Sequence, residues 1–354
     1  MSDFADLHGE LRSVAADILA KESTGDVPWT VLAQAGWTGL EISDELGGAG
    51  ASFRETAVIL EELGRAAART GYLGGVGLSV GVLTALPAGE RRDELLVGIA
   101  EGDRSVAAAV SADHESIATA APFMVTAASA GWRVQGRAAY VPDAEVETLL
   151  LVARDPGGAP VIVVVPADTA GLTVRVQPVV DDTRSLAAVI ADDVTVGAAA
   201  VLGFDGVGRL RSLAARAATA VACDSLGLSE AMLAATVSYV GIREQFGRPI
   251  GSFQAVKHAC ADMSVRIAVA RQLVHAAVEA VADDSADAVV AAARAKAYSC
   301  EAAVEIAGKA MQLHGGIGYT WESGIHVYLK RATLNRALFG SPAAHRTLVA
   351  AQYF

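Results

Sequence analysis

Basic residues are in short supply. The 354-residue chain carries 28 Lys and Arg against 40 Asp and Glu, a formal net charge of −12, and its Lys and Arg are not clustered. This argues against a nucleic-acid partner, because holding a phosphate backbone needs a basic face. The acidity itself serves solubility. Cysteine is scarcer still. Cys223, Cys260 and Cys300 each lie in alanine-rich helical text without metal-ligand spacing, and read as small buried side chains in a reducing compartment. No basic stretch followed by an apolar core follows Met1, so no secretory signal is expected. The apolar, glycine-rich run from Gly71 to Pro87 falls short of the ~20 residues of a spanning helix. These absences predict a cytoplasmic protein with no membrane and no nucleic-acid partner. No Gly-x-Gly-x-x-Gly follows a predicted strand, which weakens a nicotinamide reading. Asp181-Asp182 and Asp192-Asp193 have the look of turn residues flanking a strand, with no Mg- or Ca-type loop around them, and no metal is expected.

What the chain does have is 53% hydrophobic residues, ample for more than one core. The text falls into three blocks. Residues 1–103 read as helices joined by short loops, with capping-box spacing at Ser52-Phe53-Arg54-Glu55 and apolar Ile59, Leu63 and Ala66 behind it. A helix is predicted there from about 53 to 69. Residues 104–203 change character: Leu149 to Ala153 and Val161 to Val165 are short β-branched runs separated by the turn Asp155-Pro156-Gly157-Gly158. Thr173 to Val176 and Leu186 to Ile190 read the same way, and a barrel or sandwich is predicted. Residues 204–354 return to long alanine-rich helices, as in a bundle. The expected class is α+β.

One stretch interrupts the bundle text with charge, glycine and an X-Pro bond: Arg243-Glu244-Gln245-Phe246-Gly247-Arg248-Pro249-Ile250-Gly251-Ser252-Phe253-Gln254. Two long helices are predicted to meet here. Arg243 ends the first, where a guanidinium complements the helix dipole and can still offer its donors to an anion. Ser252 is a candidate N-cap for the second, leaving backbone N–H groups that can face a phosphate. An ordinary helix hairpin with a capping arginine fits equally well on the physics alone.

This stretch closely resembles the C-terminal motif of the flavin-dependent acyl-CoA dehydrogenases. Two further matches occur in order: Gln312-Leu313-His314-Gly315-Gly316-Ile317-Gly318-Tyr319-Thr320, and Gly36-Trp37-Thr38-Gly39-Leu40 with Glu45-Leu46-Gly47-Gly48-Ala49-Gly50 and Leu60-Glu61-Glu62-Leu63-Gly64-Arg65. The resemblance implies an N-terminal helical domain, a central β-barrel or sandwich domain and a C-terminal four-helix bundle through which subunits pair. It also implies FAD, an acyl-CoA substrate and a glutamate that removes the α-proton while hydride passes to the flavin. That chemistry needs a carboxylate within reach of the carbon acid and donors on the thioester oxygen. The hydride step belongs to the cofactor.

The base is where the chain departs from the family. Counting from the Gln312 motif places Phe339, followed by Gly340, at the usual glutamate. The alternative position on the first bundle helix is Ala217, and Arg331 to Arg346 holds no Asp or Glu at all. Glu322 and Asp224 are the carboxylates to test as replacements. The flavin-cradling text is eroded too. The segment Ser111-Ala112-Asp113-His114-Glu115-Ser116 stands where a Thr-Glu-Pro-type loop is expected. Tyr140-Val141-Pro142 replaces a Trp-Ile-Thr-type segment, and proline offers neither hydroxyl nor N–H. Ser111 can still offer one bond, or be a surface serine. His314 either touches a ligand or packs in the bundle. The family positions that are kept, Arg243, Gln245, Phe246, Phe253, Gln254, Gln312 and Gly316, are those that reach across the dimer to the pyrophosphate and adenine end of the neighbour's FAD.

The resemblance therefore implies a degenerate subunit that completes a homologous partner's flavin site. Known members of that subset act on bulky thioesters such as steroid side chains, and an electron-transfer flavoprotein is a candidate electron acceptor. A self-sufficient homo-oligomer with an atypical base and a non-catalytic assembly subunit stand as alternatives.

Overall fold

The computed structural model describes residues 2–22, 25–113, 121–129, 131–204 and 206–352. The first block holds α1 (Ser2–Lys21), α2 (Trp29–Gln34), α3 (Phe53–Arg65), a π-helical segment (Leu73–Val80) running into α4 (Gly81–Thr84), and α5 (Glu90–Glu101). The capping box forms as the spacing requires: Arg54 N–H donates to Ser52 Oγ at 3.2 Å and Ser52 N–H to Glu55 Oε2 at 2.9 Å. Ser52→Ala is expected to remove about 0.5–2 kcal/mol of stability, read from urea unfolding. Helix α3 stops at Arg65, short of the expected end near residue 69. Ala67 turns left-handed (φ 46°), and the chain then runs extended into a bridge between Arg69 and Asp26.

The run from Gly71 to Pro87 proves to be interior. Its glycines let a wide helix pack tightly on both sides: a Cβ at Gly74 would lie 2.4 Å from the Pro142 carbonyl oxygen, and one at Gly75 2.7 Å from the Trp29 ring. Gly74 N–H donates to Asp143 Oδ2 at 2.8 Å, tying this segment to the sheet.

The second block is one eight-stranded mixed sheet, with no α-helix between its strands among the described residues: β1 (Val106–Ala109), β2 (Phe123–Ala128), β3 (Gly131–Pro142), β4 (Thr148–Arg154), β5 (Pro160–Pro166), β6 (Leu172–Val176), β7 (Leu186–Val196) and β8 (Val201–Gly203). The order is β6-β7-β3-β2-β4-β5-β8, with β1 parallel to β4. The runs at 149–153 and 161–165 pair as an antiparallel hairpin, and Asp155 Oδ1 accepts Ala159 N–H across its turn at 2.8 Å. These two strands read as unbroken apolar runs because both faces are buried. Leu150, Val152, Ile162 and Val164 pack into the large helical core, while Leu149, Leu151, Val163 and Val165 fill a second core on the other face. Asp192 and Asp193 lie inside the long β7, where Asp193 (φ 59°) pairs with Arg133. They do not flank a strand.

The third block is α6 (Gly206–Ile242), a two-residue-arm hairpin β9 (Glu244–Gln245) and β10 (Arg248–Pro249), α7 (Gln254–Ala282), α8 (Ala288–His314), α9 (Ile325–Ala337) and α10 (Pro342–Ala350). Helix α6 is long and apolar enough to cross a membrane on length and composition, but 67% of its most apolar window is buried inside the protein. It crosses α3 at backbone contact, since a Cβ on Gly227 would meet the Glu61 carbonyl oxygen at 1.8 Å.

Asp224 on α6 locks the three blocks together. Its carboxylate accepts from Arg331 Nε (3.0 Å) and Asn335 Nδ2 (2.6 Å) of α9 and from Arg184 (2.8 Å) beside β7. Arg331 also donates to the Ala68 carbonyl at 2.7 Å and to Thr183 Oγ1 at 3.1 Å. Every one of these side chains is buried except that of Thr183.

Candidate functional site

The seven residues singled out at the bundle end are brought together by two elements that touch. Arg243, Gln245, Phe246 and Phe253 lie between α6 and α7, Gln254 opens α7, and Gln312 and Gly316 lie at the end of α8. Tyr239 of α6 stacks on His314 of α8 with ring centroids 4.5 Å apart, holding the two ends side by side. His314 is thus packed in the bundle: it is buried, and its Nδ1 lies 2.7 Å from the Ala310 carbonyl.

The connection between α6 and α7 is a β-hairpin whose turn places Phe246 (φ 54°) and Gly247 (φ 76°) in the left-handed region. That conformation is unfavourable for a bulky residue such as phenylalanine, and here it leaves the ring 91% exposed. Phe253 meets it edge-on at 6.2 Å, and the Arg248 guanidinium lies 4.1 Å over the Phe253 ring. Ser252 does not cap α7. Phe253 holds the cap position without a side-chain bond, because a 3-10 turn (Ile250–Ser252) buries the Ser252 hydroxyl instead. Arg243, Gln245, Gln254, Gln312 and Gly316 are all exposed. Lys309 Nζ donates to Gln312 Oε1 at 2.7 Å, leaving the Gln312 amide N–H groups to face outward. Around this end, Ile242 (77% exposed), Tyr319 (71%) and Trp321 (75%) stand in the open. Their exposure was missed from sequence. The Tyr319-Thr320-Trp321 loop, with two aromatics between helices, was the available signal.

The place of the usual base is closed. Phe339 is buried at φ 54°, its N–H donates to the Ala112 carbonyl (3.2 Å), and Gly340 N–H donates to that of Asp113 (3.3 Å). The turn's carbonyls are held as well: His345 Nε2 lies 2.8 Å from Phe339 O, and Lys296 Nζ donates to Gly340 O at 3.1 Å. Burial pushes His345 down to about 4, so it is a neutral donor here. Ala217 is sealed in the core of α6. The turn therefore offers neither a carboxylate nor a free backbone donor.

Neither replacement carboxylate is a base. Burial opposes the charge on Asp224, but Arg331 and then Arg184 hold it down at about 2, with every oxygen already accepting. A carboxylate that avid for its partners takes no proton near neutrality. Glu322 lies fully in solvent on a 3-10 turn, held below the ordinary carboxylate range by its own backbone N–H and by Thr320. It has no shielded pocket in which to meet a carbon acid.

The ring-facing text fares no better. Ser111 Oγ accepts the Ala139 N–H at 2.9 Å and serves as a strand tie. Tyr140 sits at φ 54°, with its N–H donated to Gln177 Oε1 at 2.7 Å. Pro142 pairs with Leu186 at the end of β3. His114, Glu115 and Ser116 lie outside the described residues. Among the described residues of this text, the Ser111 hydroxyl and the Tyr140 N–H are thus taken up by partners within the chain, while the bundle end is exposed.

A helical domain, a mixed sheet and a helical bundle with aromatic and guanidinium groups exposed at one end define the architecture of a flavin-dependent dehydrogenase. The family model for the acyl-CoA dehydrogenase N-terminal domain matches residues 3–103, and that for the acyl-CoA dehydrogenase C-terminal domain matches residues 205–354. Acyl-CoA dehydrogenase IpdE2 of Mycolicibacterium smegmatis is 33% identical over 327 residues, covering 92% of this chain and 88% of that one. Among solved structures, the Tcur3481-Tcur3483 steroid ACAD variant superposes with a TM-score of 0.85 at 27% identity, over 98% of this chain and 97% of that one. The ChsE4-ChsE5 complex from Mycobacterium tuberculosis does so at 0.87 and 24% identity, over 98% and 96%. The chain belongs to the acyl-CoA dehydrogenase family, whose members use FAD.

Proposed function

We propose that this chain is the degenerate subunit of a heteromeric acyl-CoA dehydrogenase, completing the FAD site of a homologous partner that carries the flavin-ring pocket and the catalytic glutamate. The observation that carries the reading is the contrast between two ends of one chain. Phe339 and Gly340 turn their backbone donors into the chain's own Ala112 and Asp113 carbonyls, whereas Arg243, Phe246 and Gln312 stand open to solvent.

The partner's place is supported by α7. Ala261, Val265, Val269 and Ala276 form an exposed row at helical spacing, with Ala268 beside them and Gln272 as its polar member. The row lies on the helix that follows the hairpin, and a mainly apolar face of that kind marks an interaction surface. The reaction class is α,β-dehydrogenation of an acyl-CoA thioester. The steroid enzyme among the structural neighbours, which covers nearly the whole chain, supports a bulky polycyclic acyl group as substrate.

Arg243 takes the flavin's pyrophosphate in this reading. Losing a hydrogen bond to a charged group removes about 1.5–3 kcal/mol, or roughly 10- to 150-fold in affinity. Arg243→Ala in the assembled heteromer is therefore expected to release flavin at correspondingly lower dilution, followed by flavin fluorescence. Unchanged retention would remove Arg243 from the site.

A further inference from the structure

A cavity of about 360 Å3 lies beside the π-helical segment, away from the bundle end. Its walls are apolar, with the Trp29 ring set against Gly75 and with Val106 and Val146 also lining it. Its charges do not balance. Asp26, Asp143 and Glu145 line it against one guanidinium among the described residues, Arg69, which already faces Asp26 at 3.6 Å.

Asp143 is the inner group, 8% exposed and held at φ 53°. Burial pushes its carboxyl up to about 6, against the pull of the Gly74 N–H and of Arg184 and Arg331, both of which are bonded to Asp224. Thr70, also 8% exposed, has a hydroxyl without a partner among the described residues. Glu145 sits exposed toward solvent, accepting from Ser185 at 3.0 Å. An apolar cavity whose inner carboxylate is in no ion pair among the described residues is complementary to an ammonium on a hydrocarbon body.

We propose that this cavity binds a small organic monocation, a primary ammonium on an apolar body. Asp143 accepts from the ammonium, Glu145 adds field at the solvent side, and the hydrocarbon lies against the Trp29 ring, a surface that also favours cations. The inference stands apart from the flavin reading, because none of its residues belongs to the bundle end. Asp143 follows Pro142 directly and bonds Gly74, so an occupant touches both the end of β3 and the π-helical segment.

The test keeps shape constant and varies charge. Calorimetric titration of the full chain near neutral pH would compare 2-phenylethylamine, 2-phenylethanol and phenylacetate. The amine is expected to bind about ten-fold or more tightly than the alcohol, with the acid weakest. Asp143→Asn is expected to abolish the difference between amine and alcohol. If that variant does not fold, the exposed Glu145→Gln weakens the amine several-fold and leaves the alcohol unchanged. Equal binding of all three probes, no binding of the amine at millimolar concentration, an amine preference that survives Asp143→Asn, or one that Glu145→Gln leaves undiminished would overturn the proposal.

Discussion

Asp224→Asn is expected to lose about 3–5 kcal/mol of stability, the penalty for leaving buried charges without their counter-ion. The size follows from what remains. Arg184 and Arg331 are both buried, and both direct donors at this one carboxylate. Because Arg331 also holds Ala68 of the first block and Thr183 of the second, the loss falls on domain docking as well as on α6. Urea unfolding followed by two probes, one for the sheet and one for the bundle, would show the transitions separating. The same carboxylate sets an acid limit. Its folded value of about 2 lies below the roughly 4 of a free aspartate, so the folded state binds the proton less readily than the unfolded chain. The contribution is complete above the ordinary value and is lost as pH falls through about 2. Wild-type stability should therefore drop steeply in that window, and the Asn variant should be flatter there.

Gly227→Ala is expected to be comparably damaging, at or above the upper end of the ~1–3 kcal/mol of ordinary overpacking. The added methyl would meet the Glu61 carbonyl oxygen at 1.8 Å and the Arg65 nitrogen at 2.9 Å, both backbone atoms that cannot rotate away. Gly64 makes the reciprocal approach: a Cβ there would lie 2.1 Å from the Asp224 carbonyl oxygen. Helices α3 and α6 must then separate, carrying Asp224 off its arginines. A melting temperature within a degree or two of wild type would show that this crossing has slack.

Much of the fold was legible because its signals are local. The Ser52–Glu55 box, the Asp155–Gly158 turn and the β-branched runs of β4 and β5 act within a few residues of themselves. The end of α3 was not, since it is set by the bridge from Arg69 to Asp26, residues far apart in sequence. The β domain expected of the middle block is there as a mixed sheet, but its parallel pairing of β1 with β4 across a long connection is one that strand text does not encode. At the candidate site, the sequence already showed no carboxylate at Phe339 or near it. That its backbone donors are taken by Ala112 and Asp113 required the structure, as did the demotion of Asp224 from candidate base to structural hub. A buried carboxylate and a catalytic one look alike in sequence until their partners are known. The Ser252 cap failed for a related reason: Ser252 closes a 3-10 turn before α7, and its hydroxyl is buried there.

The central claim is that the flavin site is shared, and the flavin-to-chain ratio tests it most directly. Absorbance and mass spectrometry would give this ratio for the chain expressed alone and for the chain co-expressed with a homologous acyl-CoA dehydrogenase subunit that keeps the glutamate. The account predicts no flavin on the chain alone and one flavin per heterodimer, with activity only in the pair. One tightly held flavin per chain in the protein alone would contradict it.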